Sequence, residues 1–342
     1  MKNRTMTAAV FERAGTLAIK EVPIPQIKNP DEVLIRVEAV SLCGTDVRGL
    51  ADPPEFLFRE GVVIGHECCG TVEEVGSSVT TFKAGDRVVV HPNQWCGKCY
   101  YCKTGQINLC ENFLHVGDSR DGAMADYLCV PEKLVYSISK DVVPYVACLA
   151  EPLACVLNAT KSFRIHPGEN AVVLGAGPIG MIFVMLYKAA GATVIISDVS
   201  EKRRQAAMDI GADYAIDPAT QDLESEVKKV MSRGADIVVD AVGMLMGDAV
   251  KLAQKGGHVI IFGINTRANA TVAPAPVVIN EVNIHGRFIT KGTMPLAVQI
   301  IEKKLIPIEK LITHRLPIQD TAKGIELMRS GEGVKVIIEI AK

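Results

Sequence analysis

The stretch from Asn170 to Asp198, NAVVLGAGPIGMIFVMLYKAAGATVIISD, constrains this 342-residue chain more than any other. Its opening run, Ala171 to Leu174, is short, apolar and β-branched, the pattern of a buried parallel strand. Gly175-Ala176-Gly177-Pro178-Ile179-Gly180 follows at once, a helical stretch runs to Gly191, and a second strand, Thr193 to Ser197, ends on Asp198. A glycine-rich turn alone says little. Set between strand and helix, with an acid eighteen residues past Gly180, it reads as a dinucleotide cradle. Gly175 makes the tight turn, Gly177 lets a pyrophosphate approach the backbone, and Gly180 lets the helix pack on the strand. The helix start, Pro178 and Ile179, offers free N–H groups and a partial positive charge to the phosphates. Asp198 faces the adenosine ribose hydroxyls, and its charge repels a 2′-phosphate, which favours NAD over NADP. Ala171 to Tyr187 carries no charge over seventeen residues, but its glycines and proline argue against a membrane span.

The length suits about two domains of ~150 residues. Apolar content of 48% allows full cores, and a net charge of -2 gives no reason to expect nucleic acid or an anionic membrane as partner. The first residues, MKNRTMTAAVFERAG, show no apolar leader core, so the cytoplasm is expected. There, ten cysteines in clusters point to metal rather than disulfides.

Residues 1 to 40 read as strands, Thr7 to Phe11, Leu17 to Glu21 and Glu32 to Ala39, with an antiparallel barrel as the natural arrangement. Then come Cys43-Gly44-Thr45-Asp46, Gly65-His66-Glu67-Cys68-Cys69-Gly70, Gly76, Val79 and Gly85-Asp86-Arg87-Val88. Thiolate, imidazole and carboxylate all suit zinc, and three protein ligands leave a fourth position open. Asp46 is placed to accept the second ring N–H of His66. Further on, Cys96, Cys99, Cys102 and Cys110 follow C-x2-C-x2-C-x7-C. Four thiolates on one loop suit a closed tetrahedral zinc site, hence a structural one. An iron–sulfur cluster is the competing reading, against which stand the long last gap and the absence of a following proline.

These motifs closely resemble the zinc signature of the medium-chain alcohol and polyol dehydrogenases, in the branch of sorbitol dehydrogenase, and the resemblance spans essentially the whole chain. It implies an α/β protein: a GroES-like, β-rich catalytic domain over residues 1–155, to which 290–342 returns, and a Rossmann doubly wound parallel-sheet domain over 156–289. It implies a catalytic zinc on Cys43 and His66, with Glu67 as third ligand or just behind it, and Glu151 of Glu151-Pro152-Leu153 facing the same metal. Thr45 would relay the alcohol proton. Arg203 would lie near the adenosine ribose, and Val242, Gly243, Phe262, Gly263 and Ile264 at the carboxyl edge, where the nicotinamide half should sit. Arg287 and Phe288 would reach the substrate. The loop bearing His115, Asp118 and Ser119 borders the substrate pocket in similar proteins. Many relatives have a relay histidine where this chain has Arg48, which stays protonated and either holds a phosphate or other anionic group, binds a ribose hydroxyl, or is simply solvated. Two zinc ions per chain, NAD, a polyol or sugar substrate (phosphorylated or not) and a homodimer or homotetramer follow. A hydroxy amino acid dehydrogenase of the threonine type and a catalytically silent zinc- and dinucleotide-binding protein are the alternatives.

Overall fold

The computed structural model describes residues 4–161 and 163–340. The chain forms two compact units. The first runs through Ala154 and takes in Thr290–Lys304 and the residues from Ile312 onward; the second comprises Cys155–Ile289 and Leu305–Leu311.

Among the described residues of the second unit, six strands form one sheet, in the order Tyr214–Ile216, Thr193–Ser197, Asn170–Leu174, Ala235–Asp240, Ala253–Ile261, Asn283–Gly286. Every neighbouring pair is parallel. Ala171 to Leu174 and Val194 to Ile196 are fully buried, which is why these strands are continuous apolar runs. The strand order reverses beside Asn170–Leu174, and ligands of such sheets bind at the carboxyl ends of the strands around that switch point. The uncharged run from Ala171 divides into this strand and the helix Pro178–Ala189. No helix among the described residues is long and apolar enough to cross a membrane. The last strand stops at Gly286, short of Phe288. Asn158 Nδ2 takes the carbonyls of Phe288 and Ile289, and Ile289 turns the chain with φ 41°.

The first unit is built on the strand Glu32–Ser41. It pairs antiparallel with Glu67–Val75 on one side, and with Lys335–Glu339 and Tyr127–Pro131 along different parts of its other edge. The expected antiparallel pairing holds, but not as one barrel. Thr5–Arg13 and Thr16–Pro23 pair with each other in a two-stranded sheet apart from the one containing Glu32–Ser41, whose strand order, among the described residues, does not close. The returning C-terminal strands add one parallel pair, Ile312–Pro317 on Lys335–Glu339. The core of this unit joins Val33, Ile35, Val37 and Val40 of the central strand to Val336, Ile338 and Ile340 of the last.

Close approach sets the geometry of the nucleotide turn. Gly175 adopts φ 100°, and a Cβ on Gly180 would lie 1.9 Å from the Gly175 carbonyl oxygen. Gly180→Ala should therefore force the helix off the strand, at a cost of about 1–3 kcal/mol for overpacking. Urea unfolding of the variant measures it; an unchanged midpoint would mean helix and strand are held less tightly than described.

Candidate active site: a metal centre and a dinucleotide cradle

The metal centre lies in the first unit. Cys43 caps the short helix Gly44–Gly49, and His66 and Glu67 stand at the entry to the strand Glu67–Val75. Register places Glu67 opposite Ser41, so pairing of the two strands carries the carboxylate to within two residues of Cys43 along the sheet. The candidate ligand atoms of Cys43, His66 and Glu67 all lie within 4.8 Å of one another. Their donor set, one sulfur, one nitrogen and one oxygen, suits zinc with a position left open. Thr45 Oγ1 is 3.7 Å from Cys43 Sγ.

Asp46 differs from expectation. Its Oδ2 accepts from the Cys43 backbone N–H at 2.8 Å, which fixes the cysteine at the helix start. Its Oδ1 stands 3.7 Å from His66 Nδ1, too far for a hydrogen bond, and has no hydrogen-bond partner although fully buried. It acts on His66 through charge. Burial alone would push the imidazole down, but the charges of Asp46 and Cys43 outweigh it and hold the ring well above its ordinary value.

Glu67 has a partner that the sequence reading missed. Lys335 Nζ bonds Glu67 Oε2 and donates to the Leu42 carbonyl at 3.1 Å, and both side chains are almost wholly buried. Desolvation disfavours the lysine charge, and the Glu67 charge overcomes it, so the ammonium is held above its ordinary value. One signal was available. Lys335 interrupts the apolar run VKVIIEI, and a lysine built into an interior strand needs a buried acid. Glu151 is buried in the first turn of the helix Ala150–Thr160, close enough for its charge to act on both His66 and Lys335. Arg48 stacks on the Phe56 ring at 4.9 Å, with Nε donating to the Gly44 carbonyl.

The four-cysteine loop converges as its spacing requires. Cys96 and Cys102, and Cys99 and Cys110, have their sulfurs 4.0 Å apart. A zinc tetrahedron with arms of about 2.3 Å has edges of about 3.8 Å, so the fit is close. Backbone N–H groups of Lys98 and Cys99 point at Cys96 Sγ and hold its thiol down at about 6, the state in which it ligates a metal.

The cradle lies in the second unit. A Cβ on Gly177 would meet nothing within 4 Å, which leaves the backbone there open to a ligand, ahead of Pro178 and Ile179 at the helix start. Asp198 ends its strand with Oδ2 accepting from Ala176 N–H and Oδ1 from Ser200 N–H, both at 2.8 Å, so the carboxylate is fixed beside the turn. Arg203 lies in the first turn of the next helix. Arg204, not singled out in the sequence, donates to the Asp198 carbonyl and pairs with Asp217. At the carboxyl edge Val242 packs over Gly175, and Gly243 and Gly263 touch backbone to backbone. A fully buried carboxylate, Asp240, organises that edge by accepting from Val242, Gly243 and Leu245 N–H groups. Phe262 packs edge-on against Phe183, and Ile264 is exposed. Arg287 stacks on Phe163 at 4.9 Å, and Phe288 is exposed.

A nucleotide-binding sheet and an open metal triad in one chain define a metal-dependent oxidoreductase that works with a dinucleotide. Known proteins agree. Residues 29–140 match the alcohol dehydrogenase GroES-like domain, and residues 178–303 match the zinc-binding dehydrogenase family. The chain is 33% identical over 339 residues to L-idonate 5-dehydrogenase of Vitis vinifera, covering 95% of this chain and 92% of that protein. It is 31% identical to sorbitol dehydrogenase of Bacillus subtilis, covering 98% and 97%. A solved structure described as a zinc-binding dehydrogenase from Sinorhizobium meliloti 1021 bound to NADP superposes with a TM-score of 0.93 at 32% identity, covering 98% of this chain and all of that one. The chain belongs to the zinc-dependent medium-chain dehydrogenases, sorbitol dehydrogenase-like in type, and is an oxidoreductase that uses zinc and a nicotinamide cofactor.

The buried ion pair yields a test independent of activity. Lys335→Met leaves Glu67 as an uncompensated buried charge and should cost about 3–5 kcal/mol, whereas pairing it with Glu67→Gln should recover most of that. Denaturant titration of the two variants distinguishes them. Because the lysine is raised on folding, its contribution is full at neutral pH and is lost only as pH climbs past its unfolded value of about 10.4 and then its folded one.

Proposed function

We propose that the protein oxidises a secondary alcohol of a polyol or sugar, phosphorylated or not, with NAD, and that it holds two zinc ions per chain. The convergence of Cys43, His66 and Glu67 carries this reading. The substrate class rests on relatives named for sorbitol and L-idonate and on the buried Glu151 beside the triad.

Cys43, His66 and either Glu67 or Glu151 would hold the catalytic ion, and Cys96, Cys99, Cys102 and Cys110 the structural one. Bound zinc supplies a Lewis acid that acidifies the alcohol, and the nicotinamide supplies the hydride acceptor. Thr45 takes the hydroxyl proton and passes it outward. The Lys335 ammonium offsets the charge of Glu67 at the edge of the site. Gly175, Gly177, Pro178, Ile179 and Gly180 seat the pyrophosphate, Asp198 and Arg203 the adenosine ribose, and Val242, Gly243, Phe262, Gly263 and Ile264 border the nicotinamide half. Arg287 and Phe288 contribute to substrate contact. Arg48 offers its guanidinium to an anionic group on cofactor or substrate; Arg48→Ala with both KM values unchanged would remove that role.

The enzyme works in the cytoplasm, a reading supported by ten cysteines none of which is joined in a disulfide, and as a homodimer or homotetramer. The last strand, Asn283–Gly286, ends the sheet order, and Val278 and Ile279 beside it are strongly exposed, an edge that invites a second copy. A monomer in light scattering at micromolar concentration would refute this. A supply of NAD-dependent activity to cell extracts fractionated away from membranes addresses the compartment, and recovery with the membranes would count against it.

NAD reduction across polyols, sugars, sugar phosphates and threonine tests the substrate class; turnover of threonine alone would move the assignment to hydroxy amino acids. Metal analysis should find two zinc ions in wild type. Cys43→Ser should abolish turnover with the fold intact, and Cys99→Ser should chiefly lower stability. One zinc in fully folded wild type would contradict the pair of sites.

The carboxylate at Asp198 makes NAD the expected cofactor over NADP. Asp198→Ala should narrow the ratio of the two kcat/KM values. A wild-type preference for NADP, the nucleotide bound in the Sinorhizobium meliloti structure, would overturn this assignment.

A further inference from the structure

His115 and Asp118 lie outside the ligand and relay residues, yet the fold places them at the metal centre. The short strand Leu114–His115 pairs with Asn93–Gln94. The chain then folds back over Gly65, the residue before His66. A Cβ on Gly117 would lie 2.8 Å, and one on Gly122 2.3 Å, from the Gly65 carbonyl oxygen, so this loop rests on the backbone that carries His66. Ser119 fixes the histidine. Its Oγ accepts from the His115 N–H at 2.7 Å, and its own N–H donates to the His115 carbonyl at 3.2 Å. The His115 ring stands edge-to-face with His66 at 4.8 Å between centroids, and Phe113 stacks on it at 6.2 Å.

Packing alone would be met by phenylalanine. Instead, His115 Nδ1 lies 3.0 Å from Asp118 Oδ2, and the loop is far less exposed than a surface turn: the side chains are 13% and 24% exposed. Burial pushes the Asp118 carboxyl up, but the adjacent His115 ring and Ser119 outweigh it and hold it below its ordinary value. Nδ1 is wholly buried and has no hydrogen-bond partner, so the remaining exposure of the side chain lies on its other atoms. The contact lacks hydrogen-bond geometry, so Asp118 acts on the ring through its charge, which favours a proton on Nδ1 and leaves Nε2 for a ligand.

Building on the polyol reading above, we propose that His115 is a specificity-determining residue whose Nε2 hydrogen-bonds a substrate hydroxyl on the carbon next to the one oxidised, with Asp118 as its positioning residue. The ring's contact with His66 puts it beside the residues that would hold the reacting alcohol. Nε2 accepts from the hydroxyl when the ring is neutral and donates to it when charged, so the recognition does not depend on protonation. A site built around such a bond disfavours an alcohol that lacks the second hydroxyl, because Nε2 is then left unpaired.

The test compares sorbitol and xylitol with isopropanol, which has no neighbouring hydroxyl. His115→Phe keeps ring and shape. It should raise the KM of both polyols about tenfold with kcat little changed, and leave kcat/KM for isopropanol within about threefold. Calorimetric titration of sorbitol into the zinc-loaded, NADH-bound protein should show the same loss in Kd, with NADH affinity and zinc content unchanged. His115→Gln should recover part of the loss, and Asp118→Ala should reproduce part of it. Unchanged sorbitol Kd and KM in His115→Phe, in an enzyme whose wild type oxidises polyols, overturns this inference alone. An equal fall for isopropanol also overturns it, since it marks the ring as structural. Wild type that oxidises no polyol overturns the polyol reading and this inference with it.

Discussion

An ammonium group in a protein interior needs a carboxylate, and much of the first unit follows from that requirement. Lys335 sits in the strand Lys335–Glu339, which hydrogen-bonds to Glu32–Ser41, and its charge is met by Glu67 at the head of Glu67–Val75. Three strands distant in sequence are thereby tied at one point, next to the candidate metal ligands. Isolated, either charge would be among the costliest groups in the molecule. Paired, they tie the end of Glu32–Ser41 to the head of Glu67–Val75, beside Cys43 and His66. The metal centre and the path of the chain's final strand are thus one structural problem.

The two units illustrate how differently sequence encodes structure. The nucleotide cradle was legible because it is local. Gly175, Gly177, Gly180 and Asp198 lie within one βαβ segment, and each glycine answers a steric demand that the structure shows. The four-cysteine loop was legible for the same reason. The metal triad could be named from its residue types and from resemblance, but its support could not. Asp46 was expected to hydrogen-bond His66 and instead anchors the Cys43 amide, since a residue three positions into a six-residue helix reaches the cap more easily than the ring. Lys335 and Asp240 were missed because they act through long-range packing and loop backbone, which leave little pattern in the chain. Resemblance put the loop of His115 and Asp118 at the substrate pocket, but only its folding onto Gly65 shows His115 against His66.

Both halves rely on backbone contact at glycine. Gly180 on Gly175, Gly243 on Gly263, and Gly117 and Gly122 on Gly65 are all places where any side chain would collide with main chain. These contacts flank the candidate phosphate turn, the carboxyl edge and the metal loop. At each, the protein sets functional groups against a rigid peptide frame rather than against mobile side chains, the arrangement that preorganisation requires.

The discontinuity of the first unit bears on how the molecule is made. A ribosome delivers Glu67 long before Lys335, with the whole second unit, Cys155–Ile289 and Leu305–Leu311, in between. During that interval the acid has no counter-charge and the strand Glu32–Ser41 lacks the partner that covers its Ala39 to Ser41 end. The Cys96 to Cys110 loop, by contrast, closes over fifteen residues and can capture a metal as soon as it emerges. The portion translated first is therefore the last to be completed, and the nascent chain must carry an open sheet edge through most of its synthesis, where chaperones would find their substrate.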